Sequence, residues 1–379
     1  MNQKIFKVIK KPIETSNNLN KCTSFNFFWI NLNIHVIKKN ILKLTNFDLS
    51  EKNTKIIFAS IIILTSLGFM IDSEFLQKTW IFNGTEVIDN CEEYGHIKIW
   101  NYCGDHISLL ENYDVENILD SVHDGDSFFY NLSKKTFDNY LVFSFISSIL
   151  LLIVSYLLTV KIVGKRYSGL IVMILIIQSA IYYKYALGVT YPFHWALFYL
   201  TSIYMCYRIP LLSPVFFILS VWAKPITIMY LPINFVFIYL TSPKGYKFVN
   251  MNFVIFCLIT VSSIVWLFTK IHIELFSFNQ NEFEMILATW TVLFISDLLN
   301  LCLLFASMVG LILLRKEQNS KLFLFIFLIM IGGIIVVDTF TPVGNDNEEY
   351  RMIVFLVFIA IATSYVITKL EKLYEIIKK

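Results

Sequence analysis

Long apolar stretches separated by short polar ones dominate the chain from residue 56 onward, and their length decides what they are. A run of roughly 17–25 apolar residues crosses the hydrocarbon of a bilayer as one helix. Such runs fall at about 56–71, 140–160, 168–183, 193–207, 210–223, 226–240, 249–269, 289–314, 321–337 and 352–368. The pattern predicts an all-α integral membrane protein with about ten transmembrane helices and one large extracytoplasmic loop after the first. The fifth and sixth runs are short for full spans and lie where prolines cluster, at Pro192, Pro210, Pro214, Pro225 and Pro232. Broken or half-depth helices are expected there, because proline removes a helix donor and such backbone survives only inside protein or against a cavity.

Lysine and arginine orient these runs. Residues 1–55 carry 10 Lys, and the loops and tail on the same side bring the total to 23 of the 31 basic residues. Of the 28 acidic residues, 22 fall on the other side. The split predicts a multi-pass protein with both termini cytoplasmic, in the cell membrane or alternatively the endoplasmic reticulum membrane. It also divides the chain into a lysine-rich cytoplasmic segment, 1–55, and a multi-span domain, 56–379, that includes the extracytoplasmic loop 72–138. The stretch "FNFFWINLNIHVI" in the first segment reads either as an interfacial helix on anionic lipid or as a tail that only enforces topology. The first apolar run starts at Ile56, too far in for a cleaved leader, and reads as a retained anchor.

Composition agrees with the pattern. The chain of 379 residues is 56% hydrophobic and 16% charged, against about 25% charged in a soluble domain. The loop 72–138 is the one large polar piece, with 14 acidic and 4 basic residues. It holds Cys91 and Cys103 in "CEEYGHIKIWNYC", two of the six cysteines. A lone pair in an oxidising compartment is expected to form a disulfide. Asn83 and Asn131 open short glycosylation sequons. There is no internal repeat, no heptad pattern and no nucleotide-binding glycine loop, and nothing points to a nucleic-acid partner. His96, His106 and His123 match no standard zinc spacing.

The stretch "SVHDGDSFFYNLSKK", residues 121–135, stands about ten residues before the second apolar run. By charge alone it is a solvated turn in an acidic loop. By placement it is a candidate site: Asp124 and Asp126 flank a glycine that permits a tight bend, so both carboxylates can converge on one hydroxyl or one divalent cation. Phe128, Phe129 and Tyr130 suit the aromatic belt of a membrane boundary. Few basic residues share this side, and Lys224 and Arg351 lie at the mouths of spans, where an ionisable group faces a cavity or a partner. Asp297, in "FISDLLN", either orients one of these cations or ties to Asn300. His194, beside Pro192 and Trp195, reads as a packed or lipid-interface residue.

Three of these stretches carry a resemblance. "HDGDSFFY" is similar to the aspartate motif in the first outer loop of the GT-C glycosyltransferases, which take sugars from polyprenyl-phosphate carriers. "WAKPITIMYLP" resembles their Lys-Pro before an apolar helix ending in Leu-Pro. "EEYRMIVFLVFIAIATSY" resembles their final helix, with the order Tyr350-Arg351 here, and "GVTYPFHWALFYLTSIYMCYR" their span opening with an apolar Tyr-Pro. The likeness runs over about residues 56–368 and is closest in kind to the mannosyltransferase-like members. The first loop is longer than in compact members, and no large soluble domain follows the spans.

The resemblance implies an inverting transfer from a polyprenyl-phosphate-linked sugar to a hydroxyl of a glycan, lipid or protein at the extracytoplasmic face. Asp124 is then the base, with Asp126 as second candidate or as partner in holding Mg or Mn. Lys224 and Arg351 bind the carrier phosphate, and His123 and Tyr130 shape the site. Ten spans with charged mouths also describe a transporter or flippase for a lipid-linked or small anionic substrate, or a non-catalytic membrane subunit. A transporter, however, concentrates its ionisable residues at midplane and often repeats its halves. A polysaccharide polymerase would use arginines in large outer loops, where this chain has Arg351 alone.

Overall fold

The computed structural model describes residues 48–77, 125–137, 142–186, 193–241, 251–271, 297–340 and 352–377. Every regular element among them is helical. They fall in two units, one spanning residues 48–369 and a second whose described part is residues 370–377.

The first unit opens with α1, Glu51–Gln77. Ser50 caps it, its Oγ accepting from the Asn53 N–H at 3.3 Å, and Glu51 in the first turn complements the helix dipole. Then come α2, Gly125–Phe137, and α3, Val142–Val163. Gly164 ends α3 at φ 80, the left-handed conformation that favours glycine past a helix end. The chain reverses into α4, Arg166–Ile177, breaks at Gln178 and Ser179, and continues as α5, Ala180–Ala186. Helix α6, His194–Arg208, follows.

The prolines act next, as their spacing predicts. Pro210 opens a one-turn 3₁₀ helix, Pro210–Leu212, before α7, Ser213–Ala223. Pro225 opens a second 3₁₀ segment, Pro225–Tyr230, before α8, Leu231–Thr241. Each of α7 and α8 has 11 residues, hence about 16 Å of rise, roughly half a bilayer core. The remaining helices of the unit are α9, Met251–Ile271; α10, Leu298–Leu313; α11, Gln318–Phe340; and α12, Ile353–Thr368.

Helix α12 is the axis of the packing. Its residues from Ile353 to Tyr365 are buried in succession on every face, and it touches α3, α4, α6, α10 and α11. Two glycines let neighbours approach closely. A Cβ at Gly310 would stand 2.6 Å from Val366, and one at Gly169 would stand 2.5 Å from the Tyr156 ring. Small residues at crossings are how helices gain contact where lipid competes equally for apolar surface.

The outer surface is greasy. Leu64 is 67% exposed, Leu258 66%, Phe305 61% and Leu328 71%. They stand on α1, α9, α10 and α11, and a belt of this kind belongs against lipid rather than water. Two stretches, Glu51–Phe69 and Val142–Val163, are long and apolar enough to cross a membrane, with a third if α12 is counted together with the short helix after it.

Hydrogen bonds fix which helix ends meet. The Arg166 N–H donates to Asp48 at 3.2 Å, and its guanidinium stands 3.7 Å from Glu51, itself 2.8 Å from Lys55. Asn319 at the start of α11 donates to the Ile162 carbonyl at 3.2 Å. This end therefore gathers Lys161, Lys165 and Arg166, with Arg315 and Lys316 just before α11. The opposite end holds α2 and the starts of α3 and α6.

The second unit's described part is one helix, α13, Leu370–Ile377. Its sequence LEKLYEII sets leucine and isoleucine on one face and Glu371, Lys372 and Glu375 around the other.

Candidate functional site

Helix α2 begins at Gly125, immediately after Asp124. The tight glycine bend expected between the two carboxylates is replaced by a helix start, so Asp126 occupies the first turn of α2, where a negative charge suits the dipole. The helix is seated by its aromatics. Phe129 lies 5.6 Å from Phe198, 5.9 Å from Trp222 and 4.7 Å from the His194 imidazole, centroid to centroid. Phe128 lies 5.2 Å from Trp222. Ring pairs at these separations add to the area they bury.

The seat is built where α6 begins and α7 ends. Ser213 at the start of α7 bonds to Ser202 on α6 at 2.8 Å, and Ser220 near its end donates to the Trp195 carbonyl at 2.6 Å. The two helices thus run antiparallel, and α7 delivers Trp222 against Phe128 and Phe129 and ends one residue before Lys224. Lys224 is half-buried and caps α7 in extended backbone, its N–H on the Ser220 carbonyl at 2.9 Å. The chain then descends: Tyr199 donates to the Tyr230 carbonyl at 3.3 Å, and Asn234 to Ser202 at 2.8 Å. Lys224 stands at the crest of this proline-broken hairpin.

Of the residues predicted for the site, Lys224 and the backbones of Asp126 and Tyr130 are described. The side chains of Asp126 and Tyr130 fall outside the described residues, as do His123, Asp124, Arg351, Cys91 and Cys103 entirely. The divalent cation expected at Asp124 and Asp126 and the Cys91–Cys103 bridge rest on those positions. Among the described residues Cys206, Cys257 and Cys302 are free thiols, and no three His, Cys, Asp or Glu converge as a metal site.

Two buried polar arrangements lie near the starts of helices α10 and α6. Asp297, just before α10, accepts from Asn300 Nδ2 at 2.6 Å, one of the two roles its sequence position suggests, and from Ser179 Oγ at 2.5 Å. Ser179 belongs to the break between α4 and α5, so this carboxylate joins two helices that the sequence alone does not pair. His194 is 2% exposed, with Nδ1 paired to Ser147 Oγ on α3. Sequence reasoning put His194 in the packing and missed its partner, 47 positions away. An ionisable side chain at the mouth of an apolar span was the available signal.

No family model, curated protein or solved structure matches the chain.

Proposed function

We propose that this chain is a multi-span glycosyltransferase of the GT-C kind, moving a sugar from a polyprenyl-phosphate carrier to a hydroxyl acceptor at the extracytoplasmic membrane face. The observation that carries the reading is the seating of α2. Two of the stretches that resemble the family, "HDGDSFFY" and "WAKPITIMYLP", are distant in sequence, yet Phe128 and Phe129 of one rest on Trp222, two residues before Lys224 of the other. A third, "YPFHW", contributes His194 to the same seat. Ten spans with both termini cytoplasmic complete the picture, and the gathering of Lys161, Lys165, Arg166, Arg315 and Lys316 at the far end of the bundle suits that orientation.

In this mechanism Asp124 takes the proton of the acceptor hydroxyl as its oxygen bonds to the anomeric carbon. The bond from that carbon to the phosphate oxygen breaks on the opposite face, and the departing phosphate keeps the electron pair. Lys224 and Arg351 hold the developing charge in a site poor in water, where fixed cations act strongly. Asp126 assists Asp124 or shares a divalent cation with it.

Asp124→Asn is the test, since it keeps size and hydrogen bonding while removing the basic lone pair. Transfer from a panel of radiolabelled polyprenyl-phosphate hexoses should fall about 10²–10⁴-fold, the scale of a general base, with expression and donor binding preserved. Near-full transfer in both Asp124→Asn and Asp126→Asn would remove the assignment.

A further inference from the structure

The Ser147–His194 pair bears on where the imidazole carries its proton. Ser147 Oγ donates its hydrogen to the Phe143 carbonyl at 2.8 Å, and a hydroxyl has only one to give. In that arrangement it accepts toward His194, the proton of the neutral ring sits on Nδ1, and Nε2 keeps a bare lone pair. That Nε2 is buried and has no hydrogen-bond partner among the described residues. Phe129, on α2, covers the ring at 4.7 Å.

We propose that His194 Nε2 accepts a hydrogen bond from a substrate hydroxyl, in a pocket uncovered when Phe129 moves aside. A bare nitrogen offers nothing to a phosphate oxygen, which needs a donor, and a single imidazole is a poor cage for a metal ion. A hydroxyl is the group it suits: one O–H satisfies the lone pair and relieves the burial of an unpaired acceptor. The identity of that hydroxyl rests on the transferase reading, being either one on the donor sugar or that of the acceptor. His194 is in this account a binding residue, held in its tautomer by Ser147 as an oriented catalytic imidazole is held by its second hydrogen bond.

The test uses membranes containing the full chain and diethyl pyrocarbonate, which carbethoxylates an imidazole at its unprotonated nitrogen, with the His194 peptide followed by mass spectrometry. Labelling should be slow in the wild type and at least about tenfold faster in Phe129→Ala; equal rates would mean that Phe129 is no cover and overturn the proposal. In Phe129→Ala, excess polyprenyl-phosphate hexose or an alkyl glycoside acceptor should protect His194, and protection by neither would also overturn it. His194→Phe keeps a ring against Phe129 and removes the acceptor, whereas His194→Gln restores an acceptor oxygen. The first should raise KM about tenfold, the worth of one neutral hydrogen bond, for the donor or for the glycoside, whichever supplies the hydroxyl. The second should return KM toward wild type. Unchanged KM for both substrates in His194→Phe sinks the proposal while leaving the transferase reading intact. Protection of His194 without transfer from any donor does the reverse.

Discussion

Asp297 and His194 are both ionisable, both buried, and both stand where a helix begins in an apolar chain, yet their surroundings differ. Each Asp297 carboxylate oxygen has a donor, Asn300 on one side and Ser179 on the other. What is left over is Asn300 Oδ1, a neutral amide oxygen without a partner among the described residues, beside a small cavity walled by Leu301, Leu304, Met352 and Phe355. His194 is completed on one nitrogen and open on the other, beneath the Phe129 ring. A saturated polar group ties helices together, whereas one kept unsaturated is destabilising in the absence of a ligand. The first arrangement reads as structure and the second as site, and mutation should separate them.

The largest expected effect is on the saturated side. Asp297→Ala strands the Ser179 hydroxyl and the Asn300 amide without an acceptor. At roughly 1–3 kcal/mol for each of the two buried donors so exposed, the loss of stability is about 2–6 kcal/mol. Thermal unfolding in detergent and the yield of folded protein measure it. Asp297→Asn, which keeps one oxygen for Ser179, should lose less. If Asp297→Ala unfolds like the wild type but no longer transfers sugar, the comparison is inverted and Asp297 belongs to the chemistry.

The outcome also bears on what the sequence could carry. Each apolar run predicted as a span overlaps a described helix, and among the described residues two of these helices, or three with the bent pair, are long and apolar enough to cross a membrane. The breaks at Pro210 and Pro225 were legible because a missing N–H acts locally. Which face of each helix turns inward was not. Residues 353–365 and the exposed side of α10 are equally apolar, yet the former are wholly enclosed and Phe305 is 61% exposed. Hydrophobic periodicity fades where the solvent is itself hydrophobic. Asp297–Asn300 could be read off because three positions separate them, a helical spacing. Ser179 and Ser147 could not, since their partners lie 118 and 47 positions away. Gly125 misled differently: Asp-Gly is a common turn signal, and here the glycine opens a helix anchored by the aromatics after it.

A middling effect is expected from Ser147→Ala, on the open side of the comparison. It removes the acceptor that holds His194 Nδ1–H and leaves that donor buried, a cost at the low end of the roughly 1–3 kcal/mol of a stranded donor because the ring can shift its proton. Its signature is a mismatch between stability and activity. The ring is free to carry its proton on Nε2 instead, which turns an acceptor into a donor toward the substrate. Transfer should fall about tenfold while thermal stability changes little, as befits one neutral hydrogen bond at the site. Asp297→Ala should show the opposite proportion. Equal losses of stability and activity in both variants would erase the distinction between tie and site.

The smallest effect is expected at a third hydroxyl, which calibrates the other two. Ser262 on α9 is exposed and returns its proton to its own helix, to the Leu258 carbonyl at 2.5 Å and the Ile259 carbonyl at 3.2 Å. Those carbonyls already receive backbone N–H groups, so the side chain satisfies itself without supporting any neighbour. Around it Leu258 and Val261 are exposed apolar side chains, as on a face turned to lipid. Ser262→Ala should leave stability within about 0.5 kcal/mol of wild type, the range of a surface change away from special features, with transfer unaltered. Thermal unfolding of Ser262→Ala beside Ser147→Ala under identical detergent conditions makes the measurement. A loss at Ser262 as large as that at Ser147 would mean that the α9 face is covered by protein rather than lipid, since only then would removing a self-satisfied hydroxyl disturb packing.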